Sequence, residues 1–133
     1  MKTIFADSFF YFALLNPDDP AHEQAEGLLE DFDGKLVTTA WVLTEVADGM
    51  ADPADRSTFV HLHEVLSRDP DVTIVPPDAA LFADGLALYA QRADKEWSLT
   101  DCVSFIVMQR HGLTEALTGD HHFEQAGFKA LLQ

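Results

Sequence analysis

Ser98-Leu99-Thr100-Asp101-Cys102-Val103-Ser104-Phe105-Ile106-Val107-Met108 holds an almost unbroken apolar run from Cys102 to Met108, with no Gly or Pro. A segment that is apolar on nearly all sides predicts a helix buried on nearly all sides. An acid, Asp101, sits in its first turn. Ser98 and Asp101 fit a capping box, in which each side chain satisfies the other's backbone N–H. An acid there also complements the positive end of the helix dipole. Capping alone therefore explains Asp101 when the stretch is read in isolation.

Downstream, Gly112 stops the helix as a left-handed cap. Thr114–Thr118 reads as a short strand, followed by Gly119-Asp120, a brief turn of helix, Gly127 and a last apolar piece, Phe128–Leu132. Upstream, Asp94-Lys95-Glu96-Trp97 is a polar loop, and a helix runs from Asp78 to about Ala93. Val72–Val75 is a strand. Arg56–Arg68 is a helix, read through Phe59, Val60, Leu62, Val65 and Leu66. Thr39–Met50 is another helix, with Val42, Leu43, Val46, Ala47 and Met50 on its inner face and Glu45 on the flank. Lys35–Thr38 is a strand. Ala21–Asp31 is an amphipathic helix that turns Ala25, Leu28, Leu29 and Phe32 inward. Thr3–Ala6 is a buried strand ended by Asp7-Ser8, with a helix over Phe9–Leu15. Short strands alternating with helices predict a parallel sheet covered on both faces, a three-layer α/β/α arrangement.

The chain has 133 residues, which fits one domain, 1–133. Hydrophobic residues make up 47%, enough for a sizeable core, while eight Lys and Arg face 23 Asp and Glu, a net charge of −15. That field opposes loose association with nucleic acid and favours a basic partner. The single Cys, Cys102, lies in the apolar helix, so no disulfide framework exists within the chain and a reducing compartment is expected. Asp7 interrupts the apolar N-terminal run and Asn16-Pro17-Asp18-Asp19-Pro20 follows it, which argues against a signal peptide. No run reaches membrane-span length. A cytoplasmic protein is expected.

Ligand sites in open parallel sheets form outside the carboxyl ends of the strands. Asp7 ends the first strand, Asp120 follows the fourth, Asp101 opens the helix leading into the fourth, and Glu45 lies on the helix after the second. All four can converge at one edge. Each has a structural explanation: a cap for Asp7 and Asp101, a turn for Asp120, a flank charge for Glu45. Four at one end, each beside an apolar run, are harder to explain by capping. Clustered carboxylates repel, so a cation is needed between them. Hard oxygen donors select Mg²⁺ or Mn²⁺.

Phe5-Ala6-Asp7-Ser8, Thr44-Glu45-Val46, Ser98–Phe105 and Thr118–Phe128 together resemble the PIN domains, most closely the VapC-type toxin nucleases. The resemblance spans the chain, and its last two pieces are the specific ones. It implies a parallel sheet of four to five strands in the order 3-2-1-4-5. It implies that Asp7, Glu45, Asp101 and Asp120 bind the metal of a Mg²⁺- or Mn²⁺-dependent endoribonuclease. It also implies a homodimer and an antitoxin with a basic tail, encoded alongside. Ser8 and Thr100, each next to an acid, are candidates for orienting a carboxylate or water. The acidic balance departs from what RNA binding calls for. Two other readings stay open: a non-catalytic interaction module that keeps the acids as caps, and an aspartate-based phosphatase or receiver-like domain. The second needs a Lys near a strand-end hydroxyl, for which Lys2, Lys35, Lys95 and Lys129 are poorly placed.

Several other residues are drawn into the reading. His121-His122 looks like a metal pair, but neighbouring side chains seldom point the same way, and a phosphate or carboxylate contact fits better. His61, His63 and Glu64 read as surface. Trp41 reads as core, while Trp97 in its polar loop is open to stacking on a base. Arg110 is expected to satisfy a carbonyl at the helix end.

Overall fold

The computed structural model describes residues 1–132. Its sheet contains β1 (Thr3–Ala6), β2 (Lys35–Thr39), β3 (Val72–Val75), β4 (Glu115–Leu117) and β5 (Lys129–Ala130), all parallel, in the order β3-β2-β1-β4-β5. The helices are α1 (Ser8–Leu15), α2 (His22–Asp31), α3 (Ala40–Gly49), α4 (Arg56–Arg68), α5 (Ala79–Gln91), α6 (Leu99–Arg110) and α7 (His121–Gln125). The expected order and layering hold. The strand order reverses between β1 and β4, so a crevice opens outside their carboxyl ends.

α6 is the buried helix its sequence predicts. Cys102, Val103, Ser104, Phe105, Val107 and Met108 are all buried. Each large apolar side chain placed there contributes about 1.5–3 kcal/mol relative to exposure. Ser104 escapes the polar penalty by donating its hydroxyl to the Thr100 carbonyl at 2.9 Å. Both halves of the Ser98–Asp101 capping box form. Gly112 ends the helix region at φ +65°, where a side chain would be strained. α5 packs directly on α6 because Gly85 has no side chain: a Cβ there would lie 2.5 Å from Val103 Cγ2.

Several expectations are corrected. Leu29 is 39% exposed, because α2 sinks only Ala25 fully and Leu29 lies at the edge of its apolar stripe. α4 buries only Leu62 and Leu66 and leaves Val60 and Val65 facing solvent, so its apolar residues exceed what one inner face takes. Arg110 pairs with the Asp84 carboxylate of α5, not with a carbonyl, since the α5–α6 packing brings that acid within reach. Thr39 caps α3 from outside, accepting the Val42 N–H at 3.1 Å. Trp97 is core: it is 6% exposed, stands edge-on to Phe105 with centroids 5.0 Å apart, and donates Nε1–H to Gln125 Oε1 at 2.9 Å. Trp41 has the more open position, half-buried beside a groove. Among the described residues no helix is long and apolar enough to cross a membrane.

Candidate active site

The crevice at the strand reversal is a cleft of about 320 Å³ whose lining includes Asp7, Glu45, Asp101 and Asp120. Four different segments of the chain thus deliver one carboxylate each to one place. β1 carries Asp7 out of the sheet. α3 presents Glu45 on its inward flank, α6 presents Asp101 from its first turn, and the turn after β4 presents Asp120.

Capping accounts for two of these acids and fails for Asp7. Asp101 Oδ2 accepts the Ser98 N–H at 3.1 Å, and Asp120 Oδ1 accepts the His122 N–H at 2.9 Å. Asp7 occupies the N-cap position of α1 but makes no side-chain cap. Its Oδ2 instead accepts the Thr118 hydroxyl at 2.9 Å. The same Thr118 oxygen accepts the Asp120 N–H at 3.1 Å, so one buried hydroxyl ties the ends of β1 and β4 together. Ser8 donates its hydroxyl to Glu45 Oε1. Thr100 lies elsewhere, lining an adjoining groove of about 430 Å³ with Trp41, Pro77 and, again, Glu45.

His122 Nδ1 lies 2.9 Å from Asp101 Oδ2 and 3.4 Å from Asp120 Oδ1. The two histidines do share a side, against expectation: their ring centroids are 4.6 Å apart, and Asp120, His121 and His122 offer ligand atoms within 4.8 Å of one another.

Burial dominates the electrostatics. It pushes the Asp7 carboxyl up to about 7, with smaller upward contributions from Asp101 and Glu45 and opposing hydrogen bonds from Thr118 and the Ser8 backbone. Burial also raises Asp101, offset by the Ser98 N–H and His122, while Asp120 adds repulsion. No Lys or Arg lines the cleft, so the chain itself leaves this charge largely uncompensated. Carboxylate oxygens are donors of the kind a hard divalent ion takes, although among the described residues the ligand atoms that come within 4.8 Å of one another are those of Asp120, His121 and His122.

Two polar residues of the lining, Ser98 and Glu96, and Thr118, which holds Asp7 from behind, were not among the sequence candidates. Thr118 and Ser98 had no signal beyond adjacency to Asp120 and a capping pattern. Glu96 is an exposed loop acid that reaches the cleft only through the fold.

Residues 4–129 match the PIN domain family. The chain belongs to the PIN domain family. Among solved structures, this PIN domain is similar to VapC20 of Mycobacterium tuberculosis, described as a sarcin–ricin-loop-cleaving toxin. The identity is 25% and the TM-score 0.88, over 98% of this chain and 99% of that one. It shares its fold with FitAcB of Neisseria gonorrhoeae (24% identity, TM-score 0.65, 96% and 94% of the two chains). VapBC2 of Rickettsia felis, bound to a promoter DNA fragment, is similar at 10% identity and TM-score 0.66, over 97% of each chain. No curated protein sequence matches.

Proposed function

We propose that this PIN domain is a metal-dependent endoribonuclease and the toxin of a toxin–antitoxin pair. The observation that carries the reading is the convergence of Asp7, Glu45, Asp101 and Asp120 on one cleft at the strand reversal. The similarity to VapC20 over nearly the whole of both chains supports it. The donor set favours Mg²⁺ or Mn²⁺, held by the four carboxylates. When bound, such an ion polarises a phosphodiester and lowers the pKa of water. Asp7, Asp101 and Asp120 would hold the ion. Thr118 fixes the angle of Asp7, and His122 with the Ser98 N–H fixes Asp101. Glu45, anchored by Ser8, either joins them or orients the attacking water in line with the departing oxygen.

Two parts of the reading concern partners. α5 exposes Phe82, Leu86 and Tyr89 at helical spacing, 44%, 45% and 50% accessible, and this stripe is the surface for a second copy of the chain. The acidic cleft is the receptor for an Arg or Lys of the antitoxin, which displaces the ion.

The test is RNA cleavage. Hydrolysis is expected with Mg²⁺ or Mn²⁺ and none with EDTA. Asp7→Asn, Asp101→Asn and Asp120→Asn should each lose at least about a hundredfold in rate while remaining folded. Undiminished cleavage by any two of them overturns the site.

A further inference from the structure

A net charge of −15 sits badly with an RNA substrate, and the molecule places two of its eight Lys and Arg where they matter. A cavity of about 820 Å³ is lined by Arg92, Lys95, Glu96, Trp97 and Ser98. Glu96 and Ser98 also line the acid cleft, so the two spaces adjoin. Three of the other six are committed elsewhere: Lys2 to Glu115, Arg110 to Asp84, Arg56 to the Ala51 carbonyl.

The Arg92 guanidinium is held ready. It lies 5.0 Å above the Trp97 ring, and that indole is buried and pinned by Gln125 and Phe105. A planar cation stacked on a fixed ring loses little freedom when it binds an anion. It already holds one: Nε and Nη2 donate to the Asp94 carboxylate at 3.0 and 3.1 Å, and Lys95 Nζ lies 3.9 Å from the same group. A carboxylate in a bidentate fork occupies the geometry that a phosphate takes. Asp94 is exposed, and exposed ion pairs contribute little to stability, so the carboxylate can be exchanged without loss of fold.

We propose that Arg92 and Lys95 bind a phosphate flanking the scissile one in single-stranded RNA, displacing Asp94, and so seat the strand in the acid cleft. This rests on the nuclease reading and adds the residues that position its substrate. Once Asp94 is displaced, Arg92 and Lys95 supply an attraction that the acidic surface withholds, and they do so on one side of the cleft only.

The experiment measures anisotropy of a labelled single-stranded RNA with the Asp101→Asn protein in Mg²⁺, and KM and kcat with the cleaving protein. Arg92→Gln and Lys95→Gln should each weaken RNA binding and raise KM about three- to tenfold, with kcat changed less than about twofold. Each should flatten the dependence of log K on log salt by about 0.7. Arg92→Lys should restore the salt slope but not the full affinity. Asp94→Asn should tighten binding. Arg68→Gln, at the exposed end of α4, makes the same charge change and should move neither quantity. Circular dichroism and the metal affinity should match the parent throughout. If Arg92→Gln and Lys95→Gln behave as Arg68→Gln does while the parent cleaves RNA, the inference is wrong and the nuclease reading stands. If they lose affinity for an acidic peptide but not for RNA, the cavity serves a protein. If the parent neither binds nor cleaves RNA, both readings fall.

Discussion

Burial holds the Asp7 carboxyl near pH 7, where an ordinary aspartate titrates near 3.8. The folded, metal-free protein therefore keeps a proton on Asp7 that the unfolded chain has already lost between about pH 4 and 7. Stability from this group is full below the unfolded value and falls as pH rises through the folded one. Across pH 5 to 7 the loss should approach about 2 kcal/mol. Urea midpoints in EDTA should decline over that range, and Asp7→Asn should flatten the decline. Equal slopes for the two proteins would refute the assignment. Ion binding should release this proton, so calorimetric titration with Mn²⁺ at pH 6.5 should depend on the buffer's ionisation heat, and much less so at pH 8.5. Asp7 was legible as a site candidate because it ends an apolar strand. Its partner Thr118 was not, because the contact spans 111 residues and arises from β4 lying beside β1. Periodicity within a segment carries no information about which strands are neighbours.

The α5–α6 packing turns on the missing side chain of Gly85. Alanine is the better helix former by about 1 kcal/mol, so Gly85→Ala would stabilise an isolated α5. In the fold its Cβ would meet Val103 Cγ2 at 2.5 Å and the Val103 Cα at 3.3 Å. Overpacking of that kind costs about 1–3 kcal/mol and should win. Thermal melts should place Gly85→Ala below the parent, and Val103→Ala in the same chain should recover part of the difference. A melting temperature above the parent's would show that the helices separate freely. The elements themselves were readable: the apolar run of α6, the strand-helix alternation and the carboxyl-edge acids all follow from local pattern. What failed to read were faces. Leu29 fits the apolar stripe of an amphipathic helix yet is 39% exposed, since α2 fully buries only Ala25. Trp97 looked exposed in a polar loop and is buried, because α7 closes over it through Gln125 and Phe123 packs on the same Phe105.

At the scale of the whole molecule, the exposed stripe of Phe82, Leu86 and Tyr89 predicts a two-fold dimer. Light scattering at micromolar concentration should give twice the chain mass, and Leu86→Glu should return it to the monomer. A monomeric parent would refute the assignment. The charge makes a separate prediction. With a net −15, most of the acidity lies outside the cleft and forms a general field that recruits basic segments over about 8 Å at physiological salt. A neighbouring gene's short product with a basic tail should silence cleavage when co-expressed. Changing the tail Arg to Ala should restore cleavage while leaving the complex assembled. Equal inhibition by the altered tail would show that the cleft is not what the partner blocks.

The Thr118–Asp7 bond has a consequence in time. During synthesis, Asp7 emerges first and waits for a strand encoded 111 residues later. At ordinary translation speeds that gap lasts on the order of ten seconds. Throughout it the last of the four acids, Asp120, is missing from the cleft. The four-acid cleft therefore comes into being only after β4 has been made and docks against β1. On the nuclease reading proposed above, a growing chain cannot cut RNA until Asp120 has left the ribosome and met the other three acids.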